Sequence, residues 1–174
     1  MKKRILILLM VLVLSIPTIF ASSTFDLALM LGAGNFFNPS EGIAVSYGVT
    51  MGLTKTLDFS VVGMSELVPD TVRRNIFMAE IGMTLMGARN TGSKVAGVCV
   101  NSEISLGGFY RTDNGGAGVY LGISPLTLGS PSTTRRERGL RTNIGWDFVN
   151  RKLMVTFSPL DIEVYIVGTY RDWV

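Results

Sequence analysis

The chain has no histidine, a single cysteine among 174 residues, and only 17% charged residues. Beyond its first twenty or so positions, no apolar run reaches the length of a membrane-spanning helix. Without histidine, a His-based catalytic dyad and most zinc or haem sites are excluded. Cys99 alone cannot build an intramolecular disulfide framework. No cofactor or metal is expected. No nucleophile with a base beside it can be picked out either, so the chain does not read as an enzyme.

The charge is unevenly placed. Sixteen Lys and Arg face thirteen Asp and Glu, a formal net charge of +3. Lys2, Lys3 and Arg4 supply that excess, and they precede an apolar stretch from Ile5 to Phe20 broken only by Ser15, Pro17 and Thr18. Small residues follow at Ala21, Ser22 and Ser23. This is the pattern of a secretory signal, assigned to residues 1–21, ahead of one mature domain over residues 22–174. A permanent anchor is the competing reading, but the stretch falls short of the roughly 20 residues a spanning helix needs. Without the leader the chain is formally neutral, so its pI of 9.2 is no nucleic-acid footprint and no nucleic-acid partner is expected.

What the mature chain does contain is alternation. Ile43, Val45, Tyr47, Val49, Met51 and Leu53 interleave without error with Ala44, Ser46, Gly48, Thr50, Gly52 and Thr54. Period two over that length means a long strand with one apolar and one small or polar face. Similar patterns begin at Phe25, Leu57, Phe77, Val98, Val119, Leu140 and Leu153, which makes eight strands. Turn residues separate them and no helix-length periodic segment intervenes, so the strands read as an antiparallel meander. At Ser124-Pro125 and again at Ser158-Pro159 the apolar parity flips. Proline cannot donate to a ladder and an inserted residue reverses all later facing, so both are read as β-bulges.

The second face is Ala, Ser, Gly, Thr, Met and Asn with sparse charge, too small and too neutral for a well-solvated surface. Small residues suit the crowded inside of a narrow barrel, and an apolar outer face suits lipid. Closure is then obligatory, because lipid offers no partner to an edge strand. The fold class expected is all-β, an antiparallel up-and-down transmembrane β-barrel of about eight strands behind a signal peptide. Asp26, Asp58, Glu80, Glu103, Arg141 and Asp147 fall on the inward face, with Asp161 and Glu163 joining them after the second bulge. Val45, Tyr47, Val49, Met51 and Trp146 fall on the lipid face. Seven acids against Arg141 suggest a cation-selective path, or a latch in which Glu80 and Glu103 pair with Arg141. The bland reading is a lumen filled by hydrogen-bonded charges. Arg135, Arg136 and Arg138 read as a solvated loop. Asp113 to Gly116 reads as a hairpin turn, and Cys99 as a packed free thiol.

With a leader, about 150 further residues, eight alternating segments and tight junctions such as Tyr47 to Asp58, the chain resembles the small outer-membrane β-barrels, the group that contains OmpX, OmpW and the OmpA transmembrane domain. It departs from them in ending with Trp173-Val174, where they usually end in Phe, and in the Arg-rich Gly129 to Arg138 connection. The resemblance implies a monomer in the bacterial outer membrane, surrounded by lipid, with a structural or surface-interaction role or a narrow path for small hydrophobic solutes. Its loops at Asn35 to Gly42, Glu66 to Asn75 and Arg111 to Gly116 would meet host or environmental ligands. The rival is a soluble periplasmic or secreted lipocalin-like barrel with an apolar ligand inside.

Overall fold

A computed structural model describes residues 26–36, 42–54, 56–67, 74–85, 93–95, 98–129 and 135–167. The expected signal peptide and the C-terminal Tyr170 to Val174 lie outside these residues. Nine strands are present: β1 (Asp26–Phe36), β2 (Ile43–Gly52), β3 (Leu57–Glu66), β4 (Asn75–Thr84), β5 (Ser93–Val95), β6 (Val98–Arg111), β7 (Ala117–Gly129), β8 (Arg135–Asp147) and β9 (Lys152–Val167). Eight of them close into an antiparallel up-and-down barrel. Each pairs with its neighbour in sequence, β1 pairs with β9, and β4 pairs with β6 across the short β5. No helix occurs among the described residues. The barrel is thus the all-β fold that the alternation predicts.

The one added strand, β5, occupies part of a segment expected as a loop. It extends β6 beyond the end of β4, pairing Val95 with Val98 and Ser93 with Val100. At that end lie both Asp26 and Val167, together with Gly52, Leu57, Thr84, Val98, Gly129 and Arg135. The opposite, loop end carries Phe36, Ile43, Glu66 and Asn75 together with the turns 112–116 and 148–151.

The two Ser-Pro sites are bulges, as their parity flips predict. Opposite β6, Asn101 pairs with Thr127 but Glu103 with Ser124, so Pro125 and Leu126 together face Ser102. Opposite β1, the register shifts between Ala33 and Asn35, where Ser158 and Pro159 face Gly34. Between these sites β8 carries a third irregularity that the sequence reading did not foresee. Leu140 adopts a left-handed backbone, φ 56°. Gly139 and Leu140 then both face away from the interior, and Arg138 and Arg141 both face into it. Leu126 pairs with Gly139 and Gly139 with Leu160, so the three irregularities stand in one row across β7, β8 and β9. All three strands reverse their facing at one level and their mutual register is undisturbed. The mismatch appears only at the margins of the row. There hydroxyls take up freed carbonyls: Ser102 Oγ donates to Pro125 O at 2.8 Å, and Ser158 Oγ to Ala33 O at 2.8 Å.

Close approach of neighbouring strands demands glycine at a few places. A Cβ at Gly118 would collide with the carbonyl oxygen of Trp146 and stand 2.9 Å from the Phe109 ring. Backbone cannot yield as a flexible side chain can. Gly118→Ala is therefore expected to destabilise the barrel by about 1–3 kcal/mol, read as a lower urea midpoint for unfolding of the refolded protein.

Candidate functional site

The barrel interior is the candidate site, and its contents follow from the pleat. Asp26, Asp58, Glu80, Glu103, Arg141 and Asp147 are all buried, each at most 3% exposed. On the outer face, Tyr47, Val49 and Trp146 are exposed, while Val45 and Met51 are half-buried.

The Arg-rich segment corrects the sequence reading. It is not a solvated loop: residues 135–138 are strand, and Arg136 and Arg138 are 1% and 0% exposed. Arg136 Nη2 lies 2.6 Å from Glu103 Oε2, and its Nη1 lies 3.4 Å from Glu163 Oε2. Arg138 Nη2 lies 2.7 Å from Glu163 Oε1, and its Nη1 lies 3.2 Å from Glu103 Oε1. Asp58 stands within ion-pair range of both guanidiniums, at 3.9 and 3.5 Å. Arg141 pairs closely with Glu80 and reaches Asp161 at 3.7 Å. The expected partnership of Arg141 with Glu80 is present, but Glu103 belongs to Arg136 and Arg138 instead.

The reason for the correction is electrostatic. Carboxylates that β3, β4, β6 and β9 turn inward are buried, and buried carboxylates need cations beside them to stay ionised. Among the described residues, β8 supplies the cations of this network, and its bulge lets it supply three. Arg136 and Arg138 share a face at spacing two, whereas Arg141 follows at spacing three and would otherwise point outward. The same flip in β9 brings Asp161 and Glu163 inward in place of Leu160 and Ile162. The odd spacing around Gly139 was the available signal. Neutral groups join the network: Ser46 Oγ donates to Asp161 Oδ1 at 2.6 Å, the Ser158 hydroxyl oxygen stands 2.7 Å from the same carboxylate oxygen, and Thr50 Oγ1 donates to Glu163 Oε1 at 2.9 Å.

Toward the loop end the interior changes character. Met64, Met78, Phe109, Met154, Val62, Ile76 and Phe36 form an apolar cluster with Tyr120 at its lower edge. Tyr120 spans both regions, its ring in the cluster and its hydroxyl donating to Glu80 Oε2 at 2.8 Å. Asn143 marks the same boundary, bonding to Thr156 Oγ1 at 3.0 Å and touching Met78 Sδ at 3.9 Å.

At the rim, Asp147 accepts from the Val149 and Asn150 amides at 3.0 and 2.9 Å and so caps the turn it begins. Asn114 Oδ1 accepts from Gly116 N at 2.9 Å and from Asn150 Nδ2 at 3.2 Å, tying the 112–116 and 148–151 turns together. Asp113 to Gly116 is the hairpin turn expected, with Gly115 at φ 66°. Arg111 braces it through a two-pronged pair to Asp113, at 3.1 and 2.9 Å. The Cys99 side chain lies outside the described residues. No group of His, Cys, Asp and Glu suited to a metal occurs among the described residues. No family model, curated protein or solved structure matches the chain.

Two predictions follow from these contacts. Arg138→Ala leaves buried carboxylates uncompensated and is expected to cost about 3–5 kcal/mol, measured by urea unfolding. For Asp113, partial burial raises the carboxyl pKa, but the hydrogen bond and charge of Arg111 outweigh it and hold the group below its ordinary value. Its contribution is therefore complete above the ordinary carboxylate pKa and lost as the pH falls through the lower folded-state value. Thermal midpoints of the wild type and Asp113→Asn should differ at pH 6 and converge on acidification below that value.

Proposed function

We propose that the chain is an integral β-barrel of a bacterial outer membrane, a monomer of the small-barrel kind, closed along its lumen and serving a structural or surface-interaction role. The observation that carries this is where the charges are. Of the charged strand residues with described side chains, all are buried except Glu137 and Lys152, which lie near opposite ends of the barrel. Between those ends the outer face presents Leu29, Leu31, Val61, Ile81, Leu106, Leu121, Ile123, Ile144 and Val164, each at least 45% exposed. A belt of exposed apolar groups around a polar interior inverts the arrangement of a water-soluble domain. It is the arrangement lipid favours, with closure leaving no unpaired edge in the hydrocarbon.

The strand lengths agree. The eight barrel strands run from 10 to 16 residues, and a tilted transmembrane strand needs about 9–11. Tyr47, Phe77, Tyr110, Trp146 and Phe148 stand exposed on the outer face, where girdle residues would lie. A soluble barrel of lipocalin type would place its apolar face around the ligand and its charges outside. The interior here holds ion pairs and packed methionines, which supports a closed lumen over a ligand cavity or an open pore. On this reading the partners are outer-membrane lipid and, through the loop end, ligands outside the cell.

Leu121 separates the readings, since it sits in mid-belt between Leu106 and Ile144. For a barrel folded in vesicles, Leu121→Arg is expected to cost about 2–4 kcal/mol of folding free energy. At a water-exposed site the same change stays within about 0.5 kcal/mol. A wild-type protein that remains in the aqueous phase of a detergent partition removes the membrane reading.

A further inference from the structure

The interior is divided along the barrel axis into two tiers that would treat water differently. In the lower tier the guanidiniums have interchangeable partners: Arg136 lies within 4 Å of Asp58, Glu103 and Glu163, and Arg138 of those three and Glu80. Such a tier can exchange one partner for a water molecule or a small ion and keep its charges compensated. In the upper tier Met64, Met78, Phe109 and Met154 close on one another with at most 5% exposure. They offer water almost no hydrogen bond, and apolar enclosures of this kind stay dry. Narrow apolar constrictions stop ions by refusing to wet.

We propose that this apolar tier, and not the Arg141–Glu80 pair, is the permeability barrier of the lumen, and that the path it closes favours cations. The proposal rests on the membrane reading above. Cation preference follows from the lower tier, where Asp58, Glu80, Glu103, Asp161 and Glu163 outnumber Arg136, Arg138 and Arg141. The methionines give the barrier its capacity to yield. They are unbranched and flexible, so the tier can be rearranged without moving a strand.

The two candidate barriers lie in series, so only removal of the limiting one raises the current. Met64→Gln with Met78→Gln keeps side-chain size nearly unchanged and adds amides that water can wet. In planar bilayers bathed in potassium chloride, this double variant is expected to raise conductance at least about tenfold over wild type, because a wetted constriction no longer blocks ions, with potassium favoured over chloride. Met64→Leu with Met78→Leu, and separately Arg141→Gln, should stay at the wild-type level. Heat-modifiable migration on a gel verifies that each variant is folded, and Met154→Gln stands in should the double variant fail to fold. Folded glutamine variants that remain silent overturn the proposal, as does a current released by Arg141→Gln. Vesicle flotation of the wild type is read first. A chain that does not float sinks the membrane reading itself, whereas a floating barrel with silent glutamine variants sinks only the barrier.

Discussion

Closure of the sheet is the constraint from which the other features follow. Pairing β1 with β9 and β4 with β6 leaves each of the eight barrel strands with two hydrogen-bonded neighbours. It also forces alternate side chains into a space so narrow that they must satisfy one another. Whatever the pleat turns inward has to be small, apolar and well packed, or charged and compensated. The chain uses all three solutions at different heights. Glycine and serine stand where strands approach closely, methionine and phenylalanine fill the loop-end half, and an arginine–carboxylate network fills the other.

That network depends on a backbone irregularity shared by three strands. A single bulge would shift one strand against both neighbours and scramble the ladder on either side. Three bulges in a row shift β7, β8 and β9 together, so the register between them is kept and the mismatch falls at two margins, each bridged by a serine hydroxyl. Below the row the inward positions become Thr127, Arg136, Arg138, Asp161 and Glu163, which are largely charged. Above it they are Tyr120, Gly122, Ser124, Arg141, Asn143, Gly145, Asp147, Met154, Thr156 and Ser158, of which only Arg141 and, at the rim, Asp147 are charged. The change of parity thus coincides closely with the change from an ionic to a mostly uncharged interior, and Arg141 stands at the join, reaching Glu80 across it. Prolines at two of the three sites suit this geometry, since they have no amide to leave unpaired.

Much of this was legible before any coordinates. The flawless alternation of Ile43 to Thr54 made β2 certain in kind, because only a strand repeats every two residues. The parity flips at the two Ser-Pro sites marked bulges for the same reason. Asp58 and Glu80 were legible as inward because each sits between outward apolar neighbours, and Glu103 because it alternates with Ile104 and Leu106. Arg136 and Arg138 were not legible. Surrounded by Ser, Thr, Pro and Gly, they look like loop material, and no apolar alternation there betrays a strand. β5 was obscured in the same way, within a stretch rich in Gly, Ser and Asn.

Local pattern alone determined that this chain forms alternating antiparallel strands with small residues on one side, since side-chain facing in a strand is a property of consecutive residues. Which carboxylate meets which guanidinium, and why β8 must carry three cations inward, was decided only by the tertiary structure. Asp58, Glu80 and Glu103 lie 22 to 45 positions apart from one another, and up to 80 from the arginines that compensate them. Closure brings them together in a buried interior. There an unpaired charge costs so much that a left-handed leucine and a row of bulges are the lesser strain.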